Sequence, residues 1–445
     1  MKKSFCLLLT MAYLSVAAMP DMKKKISQFT GDLNGDGYID IAISDRTNYR
    51  DLFGFVKVFF GTAEGISNTP GWTYKCDRSN FLESQYFVSI IGDVNGDGMD
   101  ELCLLLTNLS NEKSGRSHQD LFLFYGKKDG FGNTPEILKI ETDNKDKSSL
   151  RYFFGFDYNG DGYIDILAVS AKRNYHPIQT SWTDIDKKLI LFRGGSSGIS
   201  KSFETMKEID DIVFRTAGDI NNDGYADMLI AESTPKGVRL MHYLGRKNNT
   251  PDSKLFLDLI LPKATSGDQT FNNIAWDYNG DNFDDDYIMY VDVGTFWTLK
   301  KKPDSTINRF EFYSGTPDGL KDSVTYTWSY KTATGTILHF TSCGDLNKDG
   351  FGDFVLQRFI SQPKKAALME ANLIWGSKDG LHLDTTNTFD KLFHSAYLVN
   401  DGFTSVIPLS DINNDGYADM LLGVETIVYG NKDGNFKTVQ LKFLD

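Results

Sequence analysis

Between residues 86 and 141 four short apolar runs follow one another: YFVSII, ELCLLL, DLFLFYG and PEILKIE. Polar, glycine-bearing stretches separate them, which is the pattern of antiparallel strands joined by tight turns. An acidic stretch lies between the first and second runs. A stretch with glycine near both ends lies between the third and fourth. The same succession recurs along the chain, so each repeat is predicted to hold four strands, A to D.

The acidic stretch fixes the phase of the repeat. The pattern D-x-N-x-D-G-x-x-D begins at Asp32, Asp93, Asp157, Asp219, Asp277, Asp345 and Asp411. Successive starts are 61, 64, 62, 58, 68 and 66 residues apart. Four antiparallel strands repeated at such a period are the signature of a propeller blade. The repeats fill the chain, so a single all-β domain is predicted over 19–445, a seven-bladed β-propeller. Order A-B-C-D stays in phase with both termini, so no strand exchange between first and last repeats is expected.

The loop chemistry follows from its spacing. Positions 1, 3, 5 and 9 bring four oxygen-bearing side chains into one tight turn. Three carboxylates that close repel one another unless a cation lies among them. Oxygen ligands without His or Cys select a hard cation, and calcium accepts irregular loops more readily than magnesium. Glycine at position 6 permits the sharp turn, and the carbonyl of position 7 is the expected fifth ligand. The ligand sets are Asp32, Asn34, Asp36, Tyr38 and Asp40; Asp93, Asn95, Asp97, Met99 and Glu101; and Asp157, Asn159, Asp161, Tyr163 and Asp165. They continue as Asp219, Asn221, Asp223, Tyr225 and Asp227; Asp277, Asn279, Asp281, Phe283 and Asp285; Asp345, Asn347, Asp349, Phe351 and Asp353; and Asp411, Asn413, Asp415, Tyr417 and Asp419.

Up to seven Ca2+ ions are therefore expected. The loop at Asp277 should be the weakest, because Asn282 replaces the position-6 glycine and Asp284 and Asp286 add charge. An EF-hand is excluded: position 12 is apolar in every copy (Ile43, Leu104, Ala168, Ile230, Ile288, Leu356, Leu422) where an EF-hand needs a bidentate Glu.

A second motif runs in step with the first. It reads FFGTAEGI, FYGKKDGF, FRGGSSGI, YLGRKNNT, YSGTPDGL, IWGSKDGL and VYGNKDGN, an aromatic strand end followed by a hairpin turn. Together the two motifs resemble FG-GAP repeats, as in the integrin alpha propeller and bacterial VCBS-type secreted proteins. The resemblance spans 24–445. It implies calcium in the A–B loops on one face of the propeller, the lower one. The acidic loop stands in all seven repeats and no leg domain or anchor follows, a departure from integrins that leaves their paired-subunit adhesion unimplied.

Composition narrows the function. The 60 acidic against 47 basic residues give a formal net charge of -13. That balance argues against nucleic acid as a partner, since a nucleic-acid binder needs a positive surface. Seven divalent ions would offset most of the charge. Residues 1–18 read as a signal peptide: Lys2 and Lys3, an apolar run from Phe5, and small residues to Ala18. Export to the periplasm or beyond is expected, with no transmembrane segment and a monomeric state. Cys76, Cys103 and Cys343 are too few and too scattered for a disulfide scaffold.

No catalytic constellation stands out. GGSSG at 194–198 matches a nucleophile elbow but falls at a hairpin, where no strand-to-helix turn is expected. The B–C and D–A connections vary most and gather aromatics and cations. Tyr49, Arg50, Arg116, Arg173, Tyr175, Trp182 and Trp297 are the candidate ligand-binding residues. Two functions fit: a calcium-dependent binding or adhesion module for a glycan, protein or cell surface, or a propeller-fold carbohydrate lyase or hydrolase.

Overall fold

The computed structural model describes residues 30–44, 53–77, 87–111, 116–128, 130–132, 134–139, 148–176, 181–209, 212–216, 219–225, 227–234, 237–246, 269–270, 277–291, 305–333, 336–360, 368–388, 406–422 and 426–442. Within them the chain is all-β, in antiparallel sheets each built from consecutive strands. The first sheet pairs Thr30–Gly31, Asp40–Ser44, Phe53–Phe59 and Trp72–Asp77 in that order. The second pairs Phe87–Gly92, Glu101–Asn111, Arg116–Phe124 and Glu136–Lys139, the four runs read from the sequence.

The third sheet holds Ser148–Phe156, Asp165–His176, Ser181–Phe192 and Phe203–Ile209. The fourth has three described strands, Ile212–Thr216, Met228–Thr234 and Gly237–Tyr243; its expected D strand falls outside the described residues. Gln269–Thr270, Asp286–Val291, Ser305–Tyr313 and Tyr326–Ala333 form the fifth. Thr336–Gly344, Asp353–Ile360, Leu368–Trp375 and His382–Thr388 form the sixth, and Val406–Ser410, Asp419–Leu422, Thr426–Tyr429 and Lys437–Gln440 the seventh. No strand is shared between the first and seventh sheets among the described residues.

The second strand of each sheet is nearly continuous in apolar residues because both of its faces are covered. Leu102, Cys103, Leu104 and Leu105 are all buried, but Leu102 and Leu104 join the core with the first sheet, while Cys103 and Leu105 join the core with the third. Similar shared cores join the third and fourth sheets, the fifth and sixth, and the sixth and seventh. Between the fourth and fifth sheets, the carbonyl of Ile220 stands close under Gly315. A further cluster unites Ile41, Ile43 and Phe59 of the first sheet with Leu409, Leu421 and Ile427 of the seventh. There the Tyr429 hydroxyl accepts the Ile66 N–H at 2.9 Å, and the Lys442 N–H donates to the Asn68 carbonyl at 2.8 Å. The first and seventh sheets are thus fastened to one another by core and by hydrogen bonds.

Cys103 and Cys343 are buried free thiols, and burial raises the pKa of both. Both lie in core strands, where small apolar side chains are needed. Residues 194–198 form a turn, with Gly198 N–H donating to Gly195 C=O at 2.7 Å, as the hairpin motif requires. No helix among the described residues is long and apolar enough to cross a membrane. The leader sequence expected at 1–18 lies outside the described residues.

Two connections differ from the loops predicted for them. Residues 171–176 and 181–182 continue the third sheet as a two-stranded ribbon, with Arg173 opposite Asp184 and Tyr175 opposite Trp182 in register. Pairing to the outer strands stops at Lys172 and Lys187, so the ribbon runs on beyond the four-stranded sheet. Residues 111 and 116–120 do the same in the second sheet, where Asn111 is the register partner of Arg116.

Candidate metal centres

Each acidic stretch joins the first and second strands of its sheet, and the seven adopt one hydrogen-bonding scheme. Position 1 is the hub. Asp32 Oδ1 accepts the N–H groups of Gly35 and Asp36 at 2.7 and 3.2 Å, and its Oδ2 accepts that of Gly37 at 2.9 Å. Asp36 Oδ1 then accepts the Tyr38 N–H at 2.9 Å, and Asn34 reaches the other oxygen of Asp36 through Nδ2 at 3.1 Å. The loop at Asp411 repeats this with Asp415, Gly416, Tyr417 and Asn413. Positions 1, 3 and 5 are thus drawn into one small turn.

Two positions of the loop need a left-handed backbone, and the sequence pattern drew attention to only one. Position 6 has φ between 87° and 91° at Gly37, Gly98, Gly162, Gly224, Gly350 and Gly416. Position 4 is also left-handed in every copy: Gly35, Gly96, Gly160 and Gly280, but Asn222, Lys348 and Asn414 elsewhere. In the fifth loop Asn282 holds position 6 at φ 70°, so the turn survives the loss of glycine. The change appears instead at Asn279, whose Nδ2 turns to Ser314 Oγ at 3.2 Å and away from Asp281. Restoring the glycine removes a strained Asn, and Asn282→Gly is expected to raise stability by about 0.5–1 kcal/mol, read as a higher urea midpoint.

Position 9 plays a part that spacing alone did not reveal. Asp40 is fully buried; its Oδ2 accepts the Leu33 N–H at 2.8 Å and its Oδ1 accepts the Gly61 N–H at 2.8 Å. Gly61 opens the C–D hairpin, so one carboxylate ties the acidic loop to the second motif. Asp165, Asp227, Asp285, Asp353 and Asp419 make the same two bonds, to Gly194, Gly245, Gly315, Gly376 and Gly430 on the hairpin side. These glycines are needed for space: a Cβ on Gly61, for example, would press against the Ile39 carbonyl. The two motifs keep step in the sequence because they are one hydrogen-bonded unit.

Burial sets the ionisation of these staples. Loss of solvent lifts Asp40 to about 7, Asp227 and Asp419 to about 8 and Glu101 to about 9, and it lifts Asp285 and Asp353 well above the usual range. The acids at positions 1 and 5 add repulsion, while the backbone N–H donors pull the other way. Asp165 rises only to about 6, because Arg193 stands 3.6 Å away in addition to its two N–H donors.

The donor set suits a hard divalent cation. It consists wholly of carboxylate, amide and carbonyl oxygens, and an ionised carboxylate with one or two N–H bonds keeps acceptor capacity. Among the described residues no three His, Cys, Asp or Glu side chains converge as a metal cluster, since these oxygens face the loop's own N–H groups. In the described loops two buried side-chain oxygens have no hydrogen-bond donor: Glu101 Oε1 in the second and Asn159 Oδ1 in the third.

Neighbouring loops touch directly. The position-1 carbonyl of one accepts the position-8 N–H of the next, from Asp100 to Asp32, Ile164 to Asp93, Gly352 to Asp277 and Ala418 to Asp345, at 2.8 to 3.0 Å. The position-7 side chain of the later loop lies against the position-4 residue of the earlier one, as Tyr163 does on Gly96 and Phe351 on Gly280.

Of the candidate ligand-face residues, Arg116, Arg173, Tyr175 and Trp182 lie on the two ribbons, at the strand ends away from the acidic loops. Tyr49, Arg50 and Trp297 lie outside the described residues.

No family model matches the chain, and no curated protein matches it. Among solved structures it is similar to the rhamnogalacturonan lyase YesW, with 12% identity and a TM-score of 0.44 over 95% of this chain and 74% of that one. It is similar also to the exotype rhamnogalacturonan lyase YesX, with 11% identity and a TM-score of 0.40 over 96% of this chain and 76% of that one. A third is the Bacillus licheniformis rhamnogalacturonan lyase PL11, with 11% identity and a TM-score of 0.26 over 93% of this chain and 61% of that one.

Proposed function

We propose that the chain is an exported, calcium-stabilised seven-bladed β-propeller of FG-GAP type that serves as a binding module for a glycan, protein or cell surface. The observation that carries the fold is the cluster shared by the first and seventh sheets, which fits a ring in which each sheet is a blade. Calcium would be held by the side chains at positions 1, 3, 5 and 9 and the carbonyl at position 7, and would supply charge neutralisation among the crowded carboxylates. With the loops at one end of every sheet, the ribbons of the second and third sheets supply the binding face at the other. Tyr175 and Trp182 are register partners on the third-sheet ribbon, and aromatic residues of this kind are enriched at recognition surfaces.

The test is a glycan and protein array probed with the purified chain in calcium. Binding to a defined ligand class is expected, and Tyr175→Ala with Trp182→Ala should weaken it about 10-fold or more. Undiminished binding by the double variant would remove the ribbon from the proposal. Turnover of a polysaccharide in the same screen would replace the binding module with an enzyme.

A further inference from the structure

Among the described residues four pairs of neighbouring loops are linked by a backbone hydrogen bond, and the second and third loops stand apart in their buried oxygens. Of the described loop residues, only Glu101 and Asn159 hold a buried side-chain oxygen with no donor, Oε1 and Oδ1. In the six other loops the position-3 Oδ1 accepts the position-5 N–H, as Asn95 does from Asp97 at 2.9 Å. The position-5 N–H also donates to the position-1 carboxylate in every loop; in the third loop Asp161 N–H donates there alone, and Asn159 Oδ1 is left over. The second loop's difference arises from its ninth residue. Glu101 is fully buried and accepts the Val94 N–H at 2.7 Å through Oε2. Its extra methylene leaves Oε1 without the hairpin amide that Asp takes in the other copies.

The same two loops are joined directly, as other neighbouring pairs are. Ile164 N–H donates to Asp93 C=O at 3.0 Å, and Gly195 N–H donates to Val94 C=O at 2.9 Å. The Tyr163 ring lies against Gly96 so closely that a Cβ there would be 2.8 Å from it. Asp93 is the hub of one loop, and Tyr163 offers the expected carbonyl ligand of the other. Ordering either loop therefore fixes an atom that the other uses.

We infer that the second and third loops are a coupled calcium pair that fills first and empties last, an inference that rests on calcium occupying these loops. Buried oxygens without donors raise the free energy of the metal-free state, so these sites gain most from a cation. The backbone links make the gain mutual, and coupling between sites is reciprocal by thermodynamic necessity.

The experiment titrates the calcium-loaded full chain with the chelator BAPTA and counts the ions retained after desalting. Two ions should persist longest and leave together. Asp97→Asn in the second loop and Asn159→Ala in the third should each loosen both ions, by about 10-fold or more, while Asp349→Asn in the sixth loop should leave the last two unchanged. If the last ions leave one at a time, or a variant loosens only the ion of its own loop, the coupling is overturned with the calcium assignment intact. If D349N loosens the last pair, the assignment to these two loops is overturned. If no ion is retained by any form of the protein at the lowest BAPTA concentration, both the pair and the calcium assignment fall.

Discussion

Removing calcium is expected to lower the melting temperature of the full chain by about 10–20 °C. Each site filled at a hundred times its Kd contributes about 2.7 kcal/mol, and the contributions of separate loops add as long as the sheets unfold together. Three or four filled loops suffice for a shift of that size, since a chain of several hundred residues moves by about 2 °C or less per kcal/mol. The effect should depend on pH with a definite sign. Burial raises the folded-state pKa of the position-9 acids. The metal-free fold then holds protons that the unfolded chain has released, so its stability falls as pH rises from about 4 toward the folded values near 7 and 8. Calcium displaces those protons and stabilises the ionised loops, so its benefit grows over the same interval. Thermal melts in excess EDTA and in millimolar calcium, run at pH 5 and pH 8, check both parts. Equal melting temperatures with and without chelator at pH 8 would end the metal proposal.

How much of this was legible beforehand depends on how local each feature is. The loops were legible because hub, turn glycine and neighbouring acids lie within nine consecutive residues, where spacing is geometry. Strands of the second sheet were legible for a similar reason: each run is bounded by turn residues on both sides. The staple was not, because Asp40 and Gly61 are 21 residues apart and only the fold brings them together. The regular alternation of the two motifs was the signal that could have found it. Their separation ranges from 11 residues between Asp419 and Gly430 to 30 between Asp285 and Gly315, so the signal is their order within each repeat and not a fixed offset.

Position 4 was missed for a different reason. It is glycine in four loops, asparagine in two and lysine in one, so identity varies while backbone conformation does not. Lys348 tolerates φ 59° there, with its ammonium 5.5 Å from the centre of the Tyr417 ring in the next loop. The 171–182 segment was read as a loop because its residues are polar and mixed. Cross-strand pairing between Arg173 and Asp184 and between Tyr175 and Trp182 is invisible until the register is known. Features that depend on register, or on which sheet lies next door, are set by tertiary packing and leave little trace in a single chain's pattern.

The staple gives the second large effect, and it can be separated from metal binding. Asp353 is fully buried and accepts Leu346 N–H at 2.8 Å and Gly376 N–H at 3.0 Å. Asp353→Ala leaves both donors buried and unpaired, each at a cost of about 1–3 kcal/mol, and adds a small cavity. A loss of about 3–5 kcal/mol is expected, measured as the urea midpoint in excess EDTA so that ligation plays no part. Asp353→Asn keeps the shape but turns an amide NH2 toward one of the two N–H groups, so it should lose about 2–3 kcal/mol. Asp349→Ala is the control: Asp349 is exposed, and its partner Phe351 N–H can turn to water, so its loss in EDTA should stay within about 1 kcal/mol. In calcium both variants also lose a ligand, so both should fall further and the gap between them should persist. A gap that is already absent in EDTA would mean that position 9 does not staple the two motifs, and that the carboxylates of the loop are equivalent.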